Sequence, residues 1–318
     1  MDTITGKIVD VTPLTDRISS FRIAAADGAR LPGYAPGAHV RVTVADGETR
    51  AYSLVDFTPP TQAPESYVIT VQREDDGQGG SRHMHGLAAG NTVTLAPPRN
   101  DFPLDDGNAG SVLLAGGIGV TPMISMATAL ADRGRAYAFH YAGRSRGMMA
   151  YVDVLEDQHG EALRVHCDDD PDTTLDLDAV IASVDAEAHL YVCGPRGMID
   201  AARAKAEAAG MSNDRIHFEL FENAAPQVGD TPFEVEIAST GEVHTVAADQ
   251  SIIEALEAAG IDVIYDCQRG DCGICQCDVI SGEPDHRDVV LSAEERASGK
   301  VMQICVSRAK SPRLVLDI

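Results

Sequence analysis

Four cysteines stand at Cys267, Cys272, Cys275 and Cys305, a C-x4-C-x2-C run followed after 29 intervening residues by a lone fourth thiol. Thiolates are soft ligands, and four in this spacing suit a [2Fe–2S] cluster. The loop must wrap three sulfurs around the iron atoms while its N–H groups point at the sulfides. Gly270 and Gly273 fall inside it, where a missing Cβ relieves crowding. The alternatives are a zinc site or a set of buried thiols. Structural zinc usually takes paired C-x2-C knuckles or histidines, and only one such pair occurs here, which favours iron. Cys167, Cys193 and Cys277 are surplus to the set, and Cys277 reads as a small buried residue.

Two glycine turns carry a second chemistry. Leu113-Leu114-Ala115-Gly116-Gly117-Ile118-Gly119-Val120-Thr121-Pro122 reads as strand, turn and helix start. Glycines let a backbone approach a pyrophosphate, and a helix N-terminus offers it unpaired N–H groups. Alone, this turn serves ligand binding and tight packing equally well. Tyr191-Val192-Cys193-Gly194-Pro195 repeats the pattern, and two such turns at strand ends border the crevice where parallel sheets bind ligands. No base stands near Cys193 in sequence, so positioning beside a nicotinamide, or packing, suits it better than nucleophilic attack. Arg50-Ala51-Tyr52-Ser53-Leu54 is a third candidate: Arg can hold a phosphate, Tyr can stack on a planar ring and Ser can hydrogen-bond it. Taken alone, a solvent-facing Arg beside a core Tyr is the plainer reading.

Three textures position these residues. Up to about residue 107, short alternating strands are expected at Lys7–Val11, Ile18–Ile23, His39–Val44, Arg50–Val55 and Tyr67–Gln72. They break at Asp27-Gly28, Pro36-Gly37 and Asp46-Gly47, and one short helix follows at Ser81–Leu87; the pattern predicts an antiparallel β-barrel. From 108 to 222 strands (Ser111–Ala115, Ala136–Tyr141, Leu163–His166, His189–Val192, Ile216–Glu219) alternate with helices (Thr121–Ala131, Tyr151–Gln158, Arg196–Ala209), predicting an α/β domain with a parallel sheet. Residues 223–231 read as a linker. Residues 232–318 form an α+β, β-grasp-like unit with strands Phe233–Ala238 and Val243–Val246, a helix Ile252–Ala259 and the cysteine loop.

The chain of 318 residues is 44% hydrophobic, with a net charge of −24. Such acidity argues against nucleic acid and anionic membranes. No secretory signal is visible at the N-terminus. Gly107–Ala131 is uncharged and exceeds the roughly 20 residues a membrane helix needs. Its central glycines and proline read instead as a buried strand, a turn and a packed helix. Thiols in a signal-less chain suggest a reducing cytoplasm.

The R-x-Y-S segment, G-G-I-G-x-T-P and C-G-P, in that order and with a cluster motif appended, resemble the ferredoxin-reductase family of flavoproteins, and within it the phthalate dioxygenase reductase and vanillate demethylase reductase group. The resemblance covers essentially the whole chain. It implies FMN held by Arg50, Tyr52, Ser53 and Leu54, and by the loop Gly77-Gln78-Gly79-Gly80-Ser81, of which Gly79, Gly80 and Ser81 match the family. Position 78 is Gln where relatives often carry Arg. Gly117, Gly119, Thr121 and Pro122 would line the nicotinamide nucleotide opposite Cys193, Gly194 and Pro195. Phe221 would stack near the flavin, with a core aromatic as the alternative. Ser53, Cys193 and Phe221 thus become the catalytic candidates. His83 and His85 lack a further ligand and are set aside as a metal site.

The expected activity is hydride transfer from NADH to the flavin, then single electrons to the cluster and on to a separate terminal oxygenase, Rieske-type by preference. Arg144 and Arg146 would suit the 2′-phosphate of NADPH, but the resemblance favours NADH. A haem monooxygenase or another acceptor is the enzymatic alternative; an iron–sulfur redox-sensing regulator is the alternative of another class. A monomer is expected, since one chain can arrange all its cofactors.

Overall fold

A computed structural model describes residues 3–59, 61–75, 79–221 and 229–318. Gly77 and Gln78 of the glycine loop, and positions 223–228 of the expected linker, lie outside the described residues. The chain divides into two compact units, Met1–Glu219 and Leu220–Ile318.

The first unit opens with strands β1 (Ile4–Pro13), β2 (Ile18–Ala25), β3 (His39–Thr43), β4 (Thr49–Ser53), β5 (Ser66–Gln72) and β6 (Thr92–Leu95). They form one antiparallel sheet in the order β4-β3-β6-β1-β2-β5. A bridge between Leu54 and Ile69 brings the two edges together and curls the sheet into a barrel. Alternation along the strands delivers Ile8, Phe21, Ile23, Val40, Val42, Ile69 and Leu95 to its interior. The short helix α1 (Gly80–His85) starts one residue earlier than expected and ends two earlier.

The same unit continues with β7 (Ser111–Gly116), β8 (Tyr137–Gly143), β9 (Leu163–Cys167), β10 (His189–Cys193) and β11 (Ile216–Glu219). All pair in parallel, in the order β11-β10-β7-β8-β9. Helices α2 (Val120–Asp132), α3 (Val152–His159), α4 (Leu177–Ala182) and α5 (Arg196–Ala208) connect them. The uncharged stretch is β7, a glycine turn and α2. Every residue of β7, and every one of α2 from Val120 to Leu130, is buried. A central strand covered on both faces needs no polar alternation, which explains the run. Among the described residues no helix is long and apolar enough to cross a membrane.

Hydrogen bonds tie the barrel to this sheet. Gly37 N–H donates to the buried Ser125 Oγ (3.1 Å), Thr128 Oγ1 to the Asp56 carbonyl (2.9 Å) and Gln158 Nε2 to the Phe57 carbonyl (3.0 Å). Gly37 has φ +87°, and a Cβ there would stand 2.0 Å from the Phe102 carbonyl oxygen, so only glycine fits.

The second unit comprises β12 (Phe233–Ile237), β13 (Val243–Val246), α6 (Ile252–Ala258), β14 (Gln276–Ser281), β15 (Pro284–Asp285), α7 (Ala293–Ser298), β16 (Val301–Gln303), β17 (Arg308–Ala309) and β18 (Arg313–Leu316). Its main sheet runs β13-β12-β18-β14-β16, with β12 and β18 parallel. Ser251 and Glu254 form a capping box on α6, whose Ile252, Ile253 and Leu256 enter the core. Asp230, inside the expected linker, is held by both ends of the Arg287 guanidinium (2.8 and 2.5 Å). The end of that stretch therefore packs as part of this unit.

Candidate functional site

The cluster loop lies between α6 and β14, and Cys305 follows β16. Pairing of β14 with β16 carries Cys305 back toward Cys275. The thiols of Cys272 and Cys305 lie beside that of Cys267 and favour its deprotonation, and Cys305 lies beside Cys275. The Arg269 N–H also donates to Cys267 Sγ (3.3 Å). Gly270 takes φ +80°, and a Cβ there would stand 2.6 Å from a Val306 methyl. The loop thus closes tightly over four converging sulfurs, a donor set that fits a [2Fe–2S] cluster. Cys277 stands apart: its sulfur faces the Asp278 and Asp317 carbonyls (3.5 Å each), and burial pushes its thiol up to about 11.

Asp271 belongs beside this set, although the cysteine spacing does not fix it. Its carboxylate lies 3.3 Å from Arg269 Nε and accepts the Leu220 N–H at 3.3 Å. Asp271, Cys267 and Cys272 bring ligand atoms within 4.8 Å of one another, the sole such group among the described residues. His83 and His85 form none; His85 Nε2 bonds instead to the Val71 carbonyl (3.0 Å).

At the parallel sheet, β7 and β10 are neighbours whose following helices are α2 and α5, so the two glycine turns meet at the reversal of strand order. A Cβ on Gly119 would stand 2.3 Å from the Cys193 carbonyl oxygen, and one on Gly194 would stand 2.9 Å from Gly116 Cα. Gly117 has φ +55°, with open space where a side chain would go. The hydroxyl of the buried Thr121 donates to the Ile118 carbonyl (3.0 Å) and holds the turn, while Pro195 caps α5. This backbone cradle, open above Gly117, fits a dinucleotide.

Cys193 is fully buried. Its partner across the ladder is Glu219, a buried carboxylate at the end of β11. Sequence reasoning missed Glu219; a lone acid inside His217-Phe218-Glu219-Leu220-Phe221 was the available signal.

On the barrel, Ser53 is buried and its hydroxyl has no hydrogen-bond partner among the described residues. An unpaired buried hydroxyl is costly, and this one fits a polar edge of a flavin ring. Burial pushes the neighbouring Tyr52 hydroxyl up to about 12, with Arg50 opposing. Arg50 lies against α1: a Cβ on Gly80 would stand 2.8 Å from its Cγ. Its guanidinium pairs with Glu48 (2.6 Å), while Ser81 Oγ accepts the Glu74 N–H (3.0 Å). Gly79 precedes the helix with φ +92°. Arg50, Gly79, Gly80 and Ser81 therefore gather on one side of the barrel. Leu54 is wholly buried at the closing bridge. Phe221, the second residue of the second unit, has 37% of its surface exposed.

Fold and site define a flavin- and iron–sulfur-dependent oxidoreductase that uses a pyridine nucleotide. Residues 113–204 match the oxidoreductase NAD-binding domain, and residues 235–310 match the 2Fe-2S iron-sulfur cluster binding domain. Vanillate O-demethylase oxidoreductase of Pseudomonas sp. (strain HR199) is 42% identical over 95% of this chain and 95% of its own. Tetrachlorobenzoquinone reductase of Sphingobium chlorophenolicum is 39% identical over 100% and 99%. The solved structure of phthalate dioxygenase reductase superposes with a TM-score of 0.76 at 36% identity, covering 99% of this chain and 98% of that one. The chain belongs to the phthalate dioxygenase reductase and vanillate demethylase reductase group.

Proposed function

We propose that the chain is the NADH-dependent reductase component of a multicomponent oxygenase, holding FMN in residues 1–107, the nicotinamide nucleotide in 108–222 and a [2Fe–2S] cluster in 232–318. One observation carries the reading: a single chain joins two touching glycine turns at a sheet reversal to a loop of four converging thiols. Bound there, the flavin accepts an electron pair and the cluster passes electrons singly.

The residues supply positions. Gly117, Gly119, Thr121, Pro122, Gly194 and Pro195 seat the nucleotide, with buried Cys193 setting the turn from beneath. Arg50, Gly79, Gly80 and Ser81 take the flavin phosphate, Tyr52 flanks the ring and Ser53 offers it a hydroxyl; Leu54, expected beside the flavin, instead has its whole surface packed into the barrel core and serves to close the barrel. Phe221, a partly exposed aromatic, is the candidate for stacking near the flavin. Cys267, Cys272, Cys275 and Cys305 hold the cluster.

NADH is preferred over NADPH because Arg146 is already engaged by Glu156 (2.7 and 2.5 Å) and Asp153 (2.7 Å), leaving less positive charge for a 2′-phosphate. The acceptor is a terminal oxygenase of the Rieske class in the cytoplasm; the quinone named for one relative makes a small acceptor the second reading. Visible spectra of the purified holoprotein before and after anaerobic NADH test this. Flavin and iron–sulfur bands that both bleach, with reoxidation by an oxygenase component, are expected. Flavin without iron would refute the cluster assignment, and rapid reoxidation by quinone alone would favour the second reading.

A further inference from the structure

Two of the most exposed large apolar residues of the second unit flank the cluster ligands. Ile264 is 80% exposed, three positions before Cys267, and Ile274 is 49% exposed, immediately before Cys275. Consecutive Cα atoms are about 3.8 Å apart, so Ile264 can lie no farther than roughly 11 Å from Cys267 by that measure. Ile280, on the outward face of β14, is 61% exposed. A single exposed isoleucine is ordinary, but apolar side chains beside a redox centre, where Cys272 is itself half-buried, ask for a partner.

The exposed and half-buried charges of the stretch of chain that carries them share one sign. Between Glu257 and Ser281 the charged residues at the surface are Glu257, Asp262, Asp266 and Asp278. The single cation there, Arg269, is buried against Asp271. Tyr265, next to Ile264, donates its hydroxyl to Glu257 (2.6 Å), which fixes the approach to the loop on α6.

We infer that Ile264 and Ile274 form the apolar centre of an electron-exit surface for an acceptor protein with an apolar contact ringed by lysine or arginine. This rests on the proposed transfer of electrons through the cluster and adds where the acceptor sits. Burial of the isoleucines supplies contact at short range, and the surrounding carboxylates steer a basic partner at long range.

Mitochondrial cytochrome c, a small basic haem protein, serves as the probe, with NADH as donor and the full holoprotein. In Ile264→Ser and Ile274→Ser variants the KM for cytochrome c should rise about fivefold or more, while NADH–ferricyanide turnover and the reduced-cluster electron paramagnetic resonance signal stay as in the wild type. Asp262→Asn should flatten the fall of cytochrome c reduction with added salt. Unchanged KM in both isoleucine variants would overturn the surface. So would a concentration-dependent dimer that both variants abolish, since a second copy would then be the occupant. Failure of the wild type to reduce cytochrome c, with ferricyanide reduction intact, would count against transfer through the cluster instead.

Discussion

The backbone of Gly119 lies directly against that of Cys193, so that a Cβ on the glycine would stand 2.3 Å from the Cys193 carbonyl oxygen. The turn after β7 and the last residue of β10 are thereby pressed together, and the groove above them keeps its shape only while position 119 lacks a side chain. Gly119→Ala should lower kcat/KM for NADH about tenfold or more, because the two turns must part. In the nucleotide-free fold Gly117→Ala meets open space and bears only the left-handed backbone cost of about 1–2 kcal/mol, whereas Gly119→Ala must in addition part the two turns. Stopped-flow reduction by NADH reads the first effect, and thermal melting without nucleotide compares the two variants; equal losses of stability would contradict the contact.

Cysteine replacements should separate ligands from bystanders. Cys305→Ser is expected to abolish iron–sulfur absorbance and cytochrome c reduction while NADH–ferricyanide turnover persists. Cys277→Ser, whose sulfur faces only backbone carbonyls, should keep the full cluster signal. Iron and sulfide content per chain is the measurement.

Ser53 presents a buried hydroxyl without a partner among the described residues. Ser53→Ala removes the polar group that would otherwise be left unpaired, so the flavin-free protein should be as stable as the wild type or slightly more so. The holoprotein should lose flavin affinity and reduction rate by about tenfold, the range of one lost hydrogen bond of about 1.4 kcal/mol. Thermal melting with and without FMN reads both sides of this exchange.

Acid should weaken the parallel sheet through a histidine pair. His166 Nδ1 lies 3.0 Å from the Thr173 carbonyl and so carries its proton, leaving Nε2 to accept from His140 Nδ1–H at 3.0 Å. Burial, then the neighbouring His166 and Arg164, pushes His140 down to about 4. The unfolded chain binds a proton near pH 6.5 that the folded chain refuses, so stability is full above that value and falls as pH drops toward 4. His140→Gln should reduce the loss of Tm between pH 7 and pH 4.5 by a few degrees. Parallel curves for wild type and variant would show that the pair contributes nothing.

The order of strands and helices was legible because each depended on a local pattern. The barrel strands showed alternation, β11 ran from Ile216 to Glu219 as expected, and the uncharged stretch resolved into β7 and α2. Elements with weak local signals escaped. β6 is four residues long, and α4 announces itself chiefly through the Asp176 cap, whose side chain accepts the Asp178 and Ala179 N–H groups. α7 likewise hides in a short polar run, closed by the Ser292–Glu295 box.

The sequence by itself determined which chemistry the chain can hold, since ligand spacing and glycine turns are properties of a few consecutive residues whose reach the covalent chain limits. Only the tertiary structure decided which side chains share that chemistry. Glu219 meets Cys193 because two strands distant in sequence pair in parallel, and Asp271 meets Leu220 across 51 positions. The orphaned hydroxyl of Ser53 and the inert thiol of Cys277 are likewise products of burial, which a local pattern does not encode because burial depends on what the rest of the chain packs around it.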